Sequence, residues 1–382
     1  MRFVLIVIAV ICLVIPSYAE WTATLEWSKV VVEGGGLSYS DEGPFCCFYD
    51  GEDLDRIEFF DWNGDPTGVT IDVSGHSWIN WFGIDGDYVG VTTINDSFIT
   101  TRFAMYDRNG TIVLEWTERD SLSDDAIVVP CGSGRVVRSK NVGNGIDEVV
   151  VFESDGSPVC SVLVDSLFAP WLSPDGYRLY IIRGCGKSPY LDCMKPIPPN
   201  FPHEEIQVFD VDSCVELHTL PRAPRVHTRI AHDADVVAMW IDGQTKIYSG
   251  GVFQGSVGSV GAINISANGE YLAGLMSSPD RITAFNLDRM TRMWAIPDSV
   301  DEGEQRLLPK IADNGVTIYG RDLVHGGYGA SLVDPDGNVF FKIDFSEIPD
   351  YYLSGDGSFC VFEDRVDNIV SFYRLSSDLE MH

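Results

Sequence analysis

An all-β repeat architecture is predicted by three observations: a polar turn that recurs eight times, hairpins of one kind between the recurrences, and almost no helical periodicity. The turns lie in YSDEGPFCCF (39–48), WFGIDGDYVGVT (81–92), VPCGSGRVVR (129–138), LSPDGYRLYI (172–181), IAHDADVVAMW (230–240), ISANGEYLAGL (265–275), IADNGVTIYG (311–320) and LSGDGSFCVF (353–362). Taking Gly43, Gly86, Gly134, Gly176, Asp235, Gly269, Gly315 and Gly357 as markers, the spacings are 43, 48, 42, 59, 34, 46 and 42 residues. A period of about 45 residues suits one four-stranded blade of a radial array, the β-propeller. Eight blades are expected. Seven is the alternative, because the fifth unit compresses VVAMWI, TKIYSG and VFQGSV into a spacing of 34.

Within each unit the marker turn is followed by a second strand, then by a third and fourth joined through a tight acidic hairpin. IEFFDWNGDPTGVTI (57–71), RFAMYDRNGTIVLEW (102–116), VVVFESDGSPVCSVL (149–163), IQVFDVDSCVELHTL (206–220), ITAFNLDRMTRMWAI (282–296) and ASLVDPDGNVFFKID (330–344) all show it. Alternating apolar residues broken by Asp, Asn or Gly are the hairpin signal. The last unit offers only three strands before the chain stops at His382, whereas WTATLEW (21–27) is a strand with no unit of its own. Pairing the two would complete the last blade and close the ring, leaving no open edge between first and last blades.

Residues 1–19 read as a secretory signal peptide: Arg2 begins it, Phe3–Ile15 is apolar, and Ser17 and Ala19 are the small residues of a cleavage site. Thirteen apolar residues fall short of the roughly twenty that span a bilayer. The expected product is a single propeller domain, residues 20–382, with 20–33 joining the last blade. It is expected to be exported (periplasmic, extracellular or in the secretory pathway), monomeric and not inserted in a membrane. The formal charge of the chain is −31, and loss of Arg2 makes it −32. Such a field disfavours nucleic acid and anionic surfaces. A hydrophobic content of 45% excludes the disorder that acidity alone would suggest.

LSPDGYRLYI resembles the Ser-Pro-Asp-Gly turn of WD-like and TolB-like propeller repeats, and AFNLDRMTRMW (284–294) is similar to the quinoprotein-type repeat through Ala284, Asn286 and Trp294. The resemblance runs over most of residues 37–375 and implies the propeller fold. The Thr-Gly pair of the quinoprotein-type repeat is absent, so no quinone cofactor is implied.

No residue set announces catalysis. The histidines His76, His203, His218, His227, His232 and His325 have no HExxH or ligand spacing, and no nucleophile elbow or phosphate loop is present. No cofactor and no metal are expected. Asp334-Pro-Asp336-Gly-Asn338 and Asp61-Trp-Asn63-Gly-Asp65 are loops that calcium would suit, but an Asp or Asn at the same hairpin position in at least five units points to turn chemistry.

One region departs from the repeat. RGCGKSPYLDCMKPIPPNFPHEE (183–205) inserts a proline-rich loop between the second and third strands of unit four, and PRAPRVHTR (221–229) follows on the same face. Over 178–229 there are seven Lys or Arg against six Asp or Glu, a nearly neutral island in an acidic chain. Loops of this kind collect function. The candidate ligand-binding residues are Lys187, Tyr190, Lys195, His203, Arg222, Arg225, His227 and Arg229, with Cys185 and Cys193 expected to form a disulfide that ties off the insertion. These features fit a non-catalytic scaffold for a protein, peptide or glycan, and the alternative is a propeller hydrolase or lyase acting at the central channel.

Overall fold

The computed structural model describes residues 21–30, 36–38, 47–49, 56–61, 63, 65–72, 76–82, 87–94, 100–117, 127–130, 133–165, 168–173, 175–183, 205–221, 227–231, 235–241, 243–277, 280–297, 308–322, 327–364, 366–367 and 369–377. Thirty-two strands are found among them, arranged as antiparallel four-stranded sheets.

Strand β1 (Trp21–Val30) precedes the repeats. Sheet one holds β2 (Gly36–Ser38), β3 (Cys47–Tyr49), β4 (Arg56–Phe60) and β5 (Pro66–Asp72). Sheet two holds β6 (His76–Phe82), β7 (Tyr88–Ile94), β8 (Thr100–Asp107) and β9 (Ile112–Thr117). Sheet three is β10 (Ile127–Pro130), β11 (Val136–Gly143), β12 (Ile146–Phe152) and β13 (Pro158–Asp165). Sheet four is β14 (Phe168–Leu172), β15 (Arg178–Arg183), β16 (Glu205–Asp210) and β17 (Val215–Pro221). The short spacing of the fifth unit still yields a full sheet of β18 (His227–Ile230), β19 (Val236–Ile241), β20 (Gln244–Ser249) and β21 (Val252–Ser256). Sheet six comprises β22 (Val260–Ile265), β23 (Tyr271–Ser277), β24 (Asp280–Asn286) and β25 (Thr291–Pro297). Sheet seven comprises β26 (Lys310–Ile311), β27 (Thr317–Asp322), β28 (Tyr328–Val333) and β29 (Val339–Phe345). The last sheet has β30 (Asp350–Leu353), β31 (Phe359–Asp364) and β32 (Ile369–Ser377), with β1 hydrogen-bonded outside β32.

In sheets one to seven the strands follow chain order, and first strands of neighbouring sheets lie against one another: β2 with β6, β6 with β10, β10 with β14, β18 with β22, β22 with β26, and β26 with β30. First strands are therefore innermost and fourth strands outermost. The antiparallel order places the turns between first and second strands, and between third and fourth, at one end of every sheet. Loops between second and third strands, and the connections between sheets, leave from the opposite end.

The turn end is fixed by side-chain to backbone bonds. In sheet four the Arg178 amide donates to Ser173 Oγ at 2.9 Å and the Tyr177 amide to Asp175 Oδ1 at 3.0 Å. Ser266 with Asn268, and Ser354 with Asp356, repeat that arrangement. In the outer hairpins Asp334 Oδ1 accepts from the amides of Asp336 and Asn338, and Asp61 Oδ1 from those of Asn63 and Asp65. The recurring Asp thus does the work of a turn residue, bonding backbone that the strands cannot reach.

A second regularity was not visible in strand patterning. Each outer strand of sheets two to seven carries a bulge just past its hairpin, leaving Val113, Val159, Leu217, Gln254, Met293 or Phe340 without a residue opposite. Bulges twist an exposed edge away from pairing with another chain. The residue after the bulge then meets the hairpin turn of the next sheet. A Cβ at Gly156 would lie 3.3 Å from Leu114, one at Gly251 2.4 Å from His218, and one at Gly337 2.7 Å from Trp294. Between sheets five and six the partners are exchanged: Gly255 is on the strand and Met290 on the turn, with Met290 Cε 2.9 Å from the Cβ position of Gly255. Between sheets three and four the same two positions hold Cys160 and Cys214, which form a disulfide. Cys214 and Met290 accordingly take a left-handed φ of 53°, in the positive-φ region where glycine stands in the other turns.

Candidate ligand-binding site

The register defines a belt on the innermost strands. The last pair between first and second strands is aliphatic at the first strand in sheets four to eight: Leu172, Ile230, Ile265, Ile311 and Leu353. One residue earlier stand Trp171, Arg229, Asn264, Lys310 and Tyr352, paired with Tyr180, Ala238, Ala273, Ile318 and Val361. All five are half-buried. Period-two alternation explains the pattern: the aliphatic side chain enters the layer against one neighbouring sheet, and the residue before it faces the other. Trp81 and Val129 occupy the same register in sheets two and three.

Belt side chains reach the next innermost strand. Asn264 Oδ1 accepts from the Ile311 amide at 3.2 Å. Lys310 Nζ donates to the Tyr351 carbonyl at 2.8 Å and lies 5.3 Å from the centre of the Tyr352 ring, close enough for a cation–π attraction. Behind it the Tyr351 hydroxyl donates to the Leu308 carbonyl at 2.7 Å and accepts from the Gly320 amide, and burial holds this phenol above its usual pKa. Trp171 packs against Tyr180, with ring centres 5.1 Å apart. Burial, with the charge of Asp235 adding to it, also keeps the Tyr180 hydroxyl protonated well beyond its normal range.

Of the residues expected from sequence, Arg229 belongs to this belt, and His227 lies two residues before it on β18, paired with Trp240. Lys187, Tyr190, Lys195, His203, Arg222 and Arg225 lie outside the described residues, as do Cys185 and Cys193 and hence the disulfide expected between them. The described strands that flank 184–204 (β15 and β16) and 222–226 (β17 and β18) meet those segments at the loop end of the sheets. Trp171, Asn264, Lys310 and Tyr352 were not anticipated. Their signal was present in the aligned segments WLSPDG, RIAHDA, NISANG, KIADNG and YLSGDG, in which the residue before the aliphatic is aromatic, amide or cationic.

No cluster of His, Cys, Asp or Glu with metal-binding geometry occurs among the described residues. The turn end carries a strong ionic contact instead. Arg135 donates to Glu153 and to the Gly176 carbonyl, pairs with Asp212 at 2.8 Å, and stands over the Tyr177 ring. Burial alone would weaken its charge, but Glu153 and Asp212 outweigh it and hold the guanidinium pKa above normal. This group bridges sheets three and four, beside the disulfide.

The architecture is similar to that of several solved structures. One titled as a crystal structure of the eukaryotic initiation factor matches with a TM-score of 0.58 at 12% identity, over 88% of this chain and 83% of that one. BamB from Moraxella catarrhalis matches with a TM-score of 0.55 at 11% identity, over 92% of this chain and all of that one. The β-propeller domain of Cps50 (Swd1) from Myceliophteria thermophila gives 0.47 at 8% identity, over 93% and 100%. No protein-family model and no curated protein matches the chain. The fold is a β-propeller resembling WD-like, TolB-like and quinoprotein-type repeats.

Proposed function

We propose that the chain is an exported, non-catalytic propeller scaffold of eight blades that holds a protein, peptide or glycan through its loop end. The observation that carries this reading is a division of labour between the two ends. Turn-end polar groups such as Ser173, Asp334 and Arg135 are used by the turns themselves and by the contacts between sheets, whereas β15 and β17, after which the long insertion and the arginine-bearing connection 222–226 follow in sequence, both end at the loop end. Loops on a rigid frame are where binding residues concentrate. Three contacts support closure of the ring by β1: its pairing with β32, the 6.0 Å approach of Trp21 to Phe340 of sheet seven, and the reach of Lys29 to Asp65 of sheet one at 3.8 Å. Export is supported by the Cys160–Cys214 disulfide, since such bonds persist in oxidising compartments. Among the described residues no helix is long and apolar enough to cross a membrane.

The test is to probe a glycan array and a peptide array with the parent chain and with R222S/R225S. Binding to members of one array, lost in the double variant while its circular dichroism is unchanged, is the expected result. Equal binding by parent and variant, or no binding on either array, would overturn the loop-end assignment.

A further inference from the structure

We propose that Asn144 is a self-modification site: the main-chain nitrogen of Gly145 displaces its side-chain amide, and the residue is converted to aspartate and isoaspartate. An Asn-Gly step is where this cyclisation is least hindered, because glycine puts no side chain beside the attacking nitrogen. Four such steps lie wholly among the described residues, at 109–110, 144–145, 268–269 and 314–315. Their sequences do not rank them. Their hydrogen bonds do.

The reaction needs the glycine nitrogen and the asparagine carboxamide free at the same time. In three of the steps the nitrogen is tied, since the amides of Gly110, Gly269 and Gly315 donate to the carbonyls of Asp107, Ser266 and Ala312 at 2.9, 3.1 and 2.9 Å. Their asparagines are engaged too. Asn109 Nδ2 donates to Asp107 Oδ2 at 3.4 Å, Asn268 Oδ1 accepts from the Glu270 amide at 2.9 Å, and Asn314 Oδ1 accepts from the Val316 amide at 3.0 Å. At 144–145 neither the Gly145 amide nor the Asn144 side chain has a hydrogen-bond partner among the described residues. The cause is local. Asn144 and Gly145 are the exposed central residues of the β11–β12 hairpin, with φ of 56° and 73°, in a two-residue turn closed by Gly143 opposite Ile146. Side-chain bonding in this turn falls to Asn141 instead, whose Oδ1 accepts from the Gly143 amide at 2.9 Å and whose Nδ2 donates to Asp147 Oδ1 at 2.7 Å.

Hydroxide removes the Gly145 amide proton, the nitrogen forms a bond to Asn144 Cγ, and the Cγ–Nδ2 bond breaks with release of ammonia. Water then opens the cyclic imide at either carbonyl. One opening leaves aspartate; the other leaves isoaspartate, in which the main chain runs through the β-carbon. Both products add a carboxylate to the loop end of sheet three, on the same hairpin as the buried Asp147. Isoaspartate also lengthens the turn by one methylene and so opposes the closing pair of Gly143 and Ile146.

The experiment holds the full chain in mildly alkaline buffer, folded and in urea, and follows the four Asn-Gly peptides over time by mass spectrometry with chromatographic separation of the aspartate and isoaspartate forms. In the folded chain Asn144 should convert at least about tenfold faster than Asn109, Asn268 or Asn314, the rate equivalent of the hydrogen bonds that those steps must first break. In urea the four rates should converge, because the bonds that distinguish them are gone. A folded-state rate at Asn144 no higher than that at Asn109 would overturn the proposal. So would an Asn144 that keeps the same lead in urea, since its reactivity would then owe nothing to the fold.

Discussion

The seam between sheets three and four and the seam between sheets six and seven solve one geometric problem with opposite chemistry. In both, the residue after an outer-strand bulge meets the hairpin turn of the next sheet. At six and seven it is Trp294 lying on Gly337, whose φ of 92° and missing side chain make room for the indole. At three and four it is Cys160 bonded to Cys214, with Arg135 adding an ion pair to Asp212. A large ring needs an empty partner, and a covalent bond needs one small side chain from each side. The turn residue is therefore set by what the preceding sheet sends across, and the requirement for glycine belongs to the seam more than to the turn.

The last sheet takes that comparison to its limit, because β1 does across the whole chain what a fourth strand does within a unit. Trp27 stacks on Phe372 at 5.4 Å, Trp21 meets Phe340, and Trp21 and Ala23 pack on the core shared by sheets seven and eight. Removing Trp21–Val30 should therefore be the largest single loss: half-burial of its apolar side chains contributes about 2–4 kcal/mol, and the hydrogen bonds of the β1–β32 ladder, at about 0.5–1.5 kcal/mol each, add to it. It would also bare the edge of β32. Chemical denaturation, with light scattering to follow association, measures both effects. An unchanged midpoint would show that β1 adds nothing that closes the ring.

At the seam between sheets six and seven, W294A should cost about 3–5 kcal/mol, the range for emptying a buried large aromatic. Trp294 is 7% exposed, and its ring surface against Gly337 would have no replacement. Part of the loss should return in W294A/G337A, where the new methyl partly fills the space but meets a positive φ that costs about 1–3 kcal/mol. A double variant more stable than the sum of its two single changes predicts would confirm that the two residues act as one contact. Strict additivity would separate them.

How much of this was legible in the sequence follows from what each feature depends on. The period, the hairpins and the orphan strand at 21–27 are local patterns, carried by residues close together in the chain. The turn role of Asp334 was legible because its partners are two and four residues away. Cys160 and Cys214 are 54 residues apart and lie in different sheets, so spacing alone does not pair them. Alignment of the hairpins does, since Cys214 falls where Gly110, Gly156, Gly251 and Gly337 fall in other units. The belt was missed for a related reason. Lys310 and Asn264 are unremarkable in their own segments, and become a set only when the registers of five strands are superimposed. Arg229 was reached from its neighbouring loop, by a different line of reasoning from the one that places it in the belt.

The smallest effect is expected from exchanging one seam for another. C160L/C214G writes the Leu114–Gly156 contact of sheets two and three into sheets three and four, removing the bond but restoring a packed side chain over a glycine at positive φ. Loss of the disulfide alone, with a closed loop of this length, removes about 4 kcal/mol in the chain-entropy picture. C160S/C214S should show most of that loss. In C160L/C214G burial of the leucine contributes up to about 2–3 kcal/mol and glycine relieves the left-handed strain, so a net loss of about 1–2 kcal/mol is expected. The parent should lose stability in dithiothreitol and C160L/C214G should not, which separates the bond from the packing. If C160L/C214G is as unstable as C160S/C214S, the five contacts are not variants of one socket, and the equivalence drawn between Cys214, Met290 and the turn glycines fails with it.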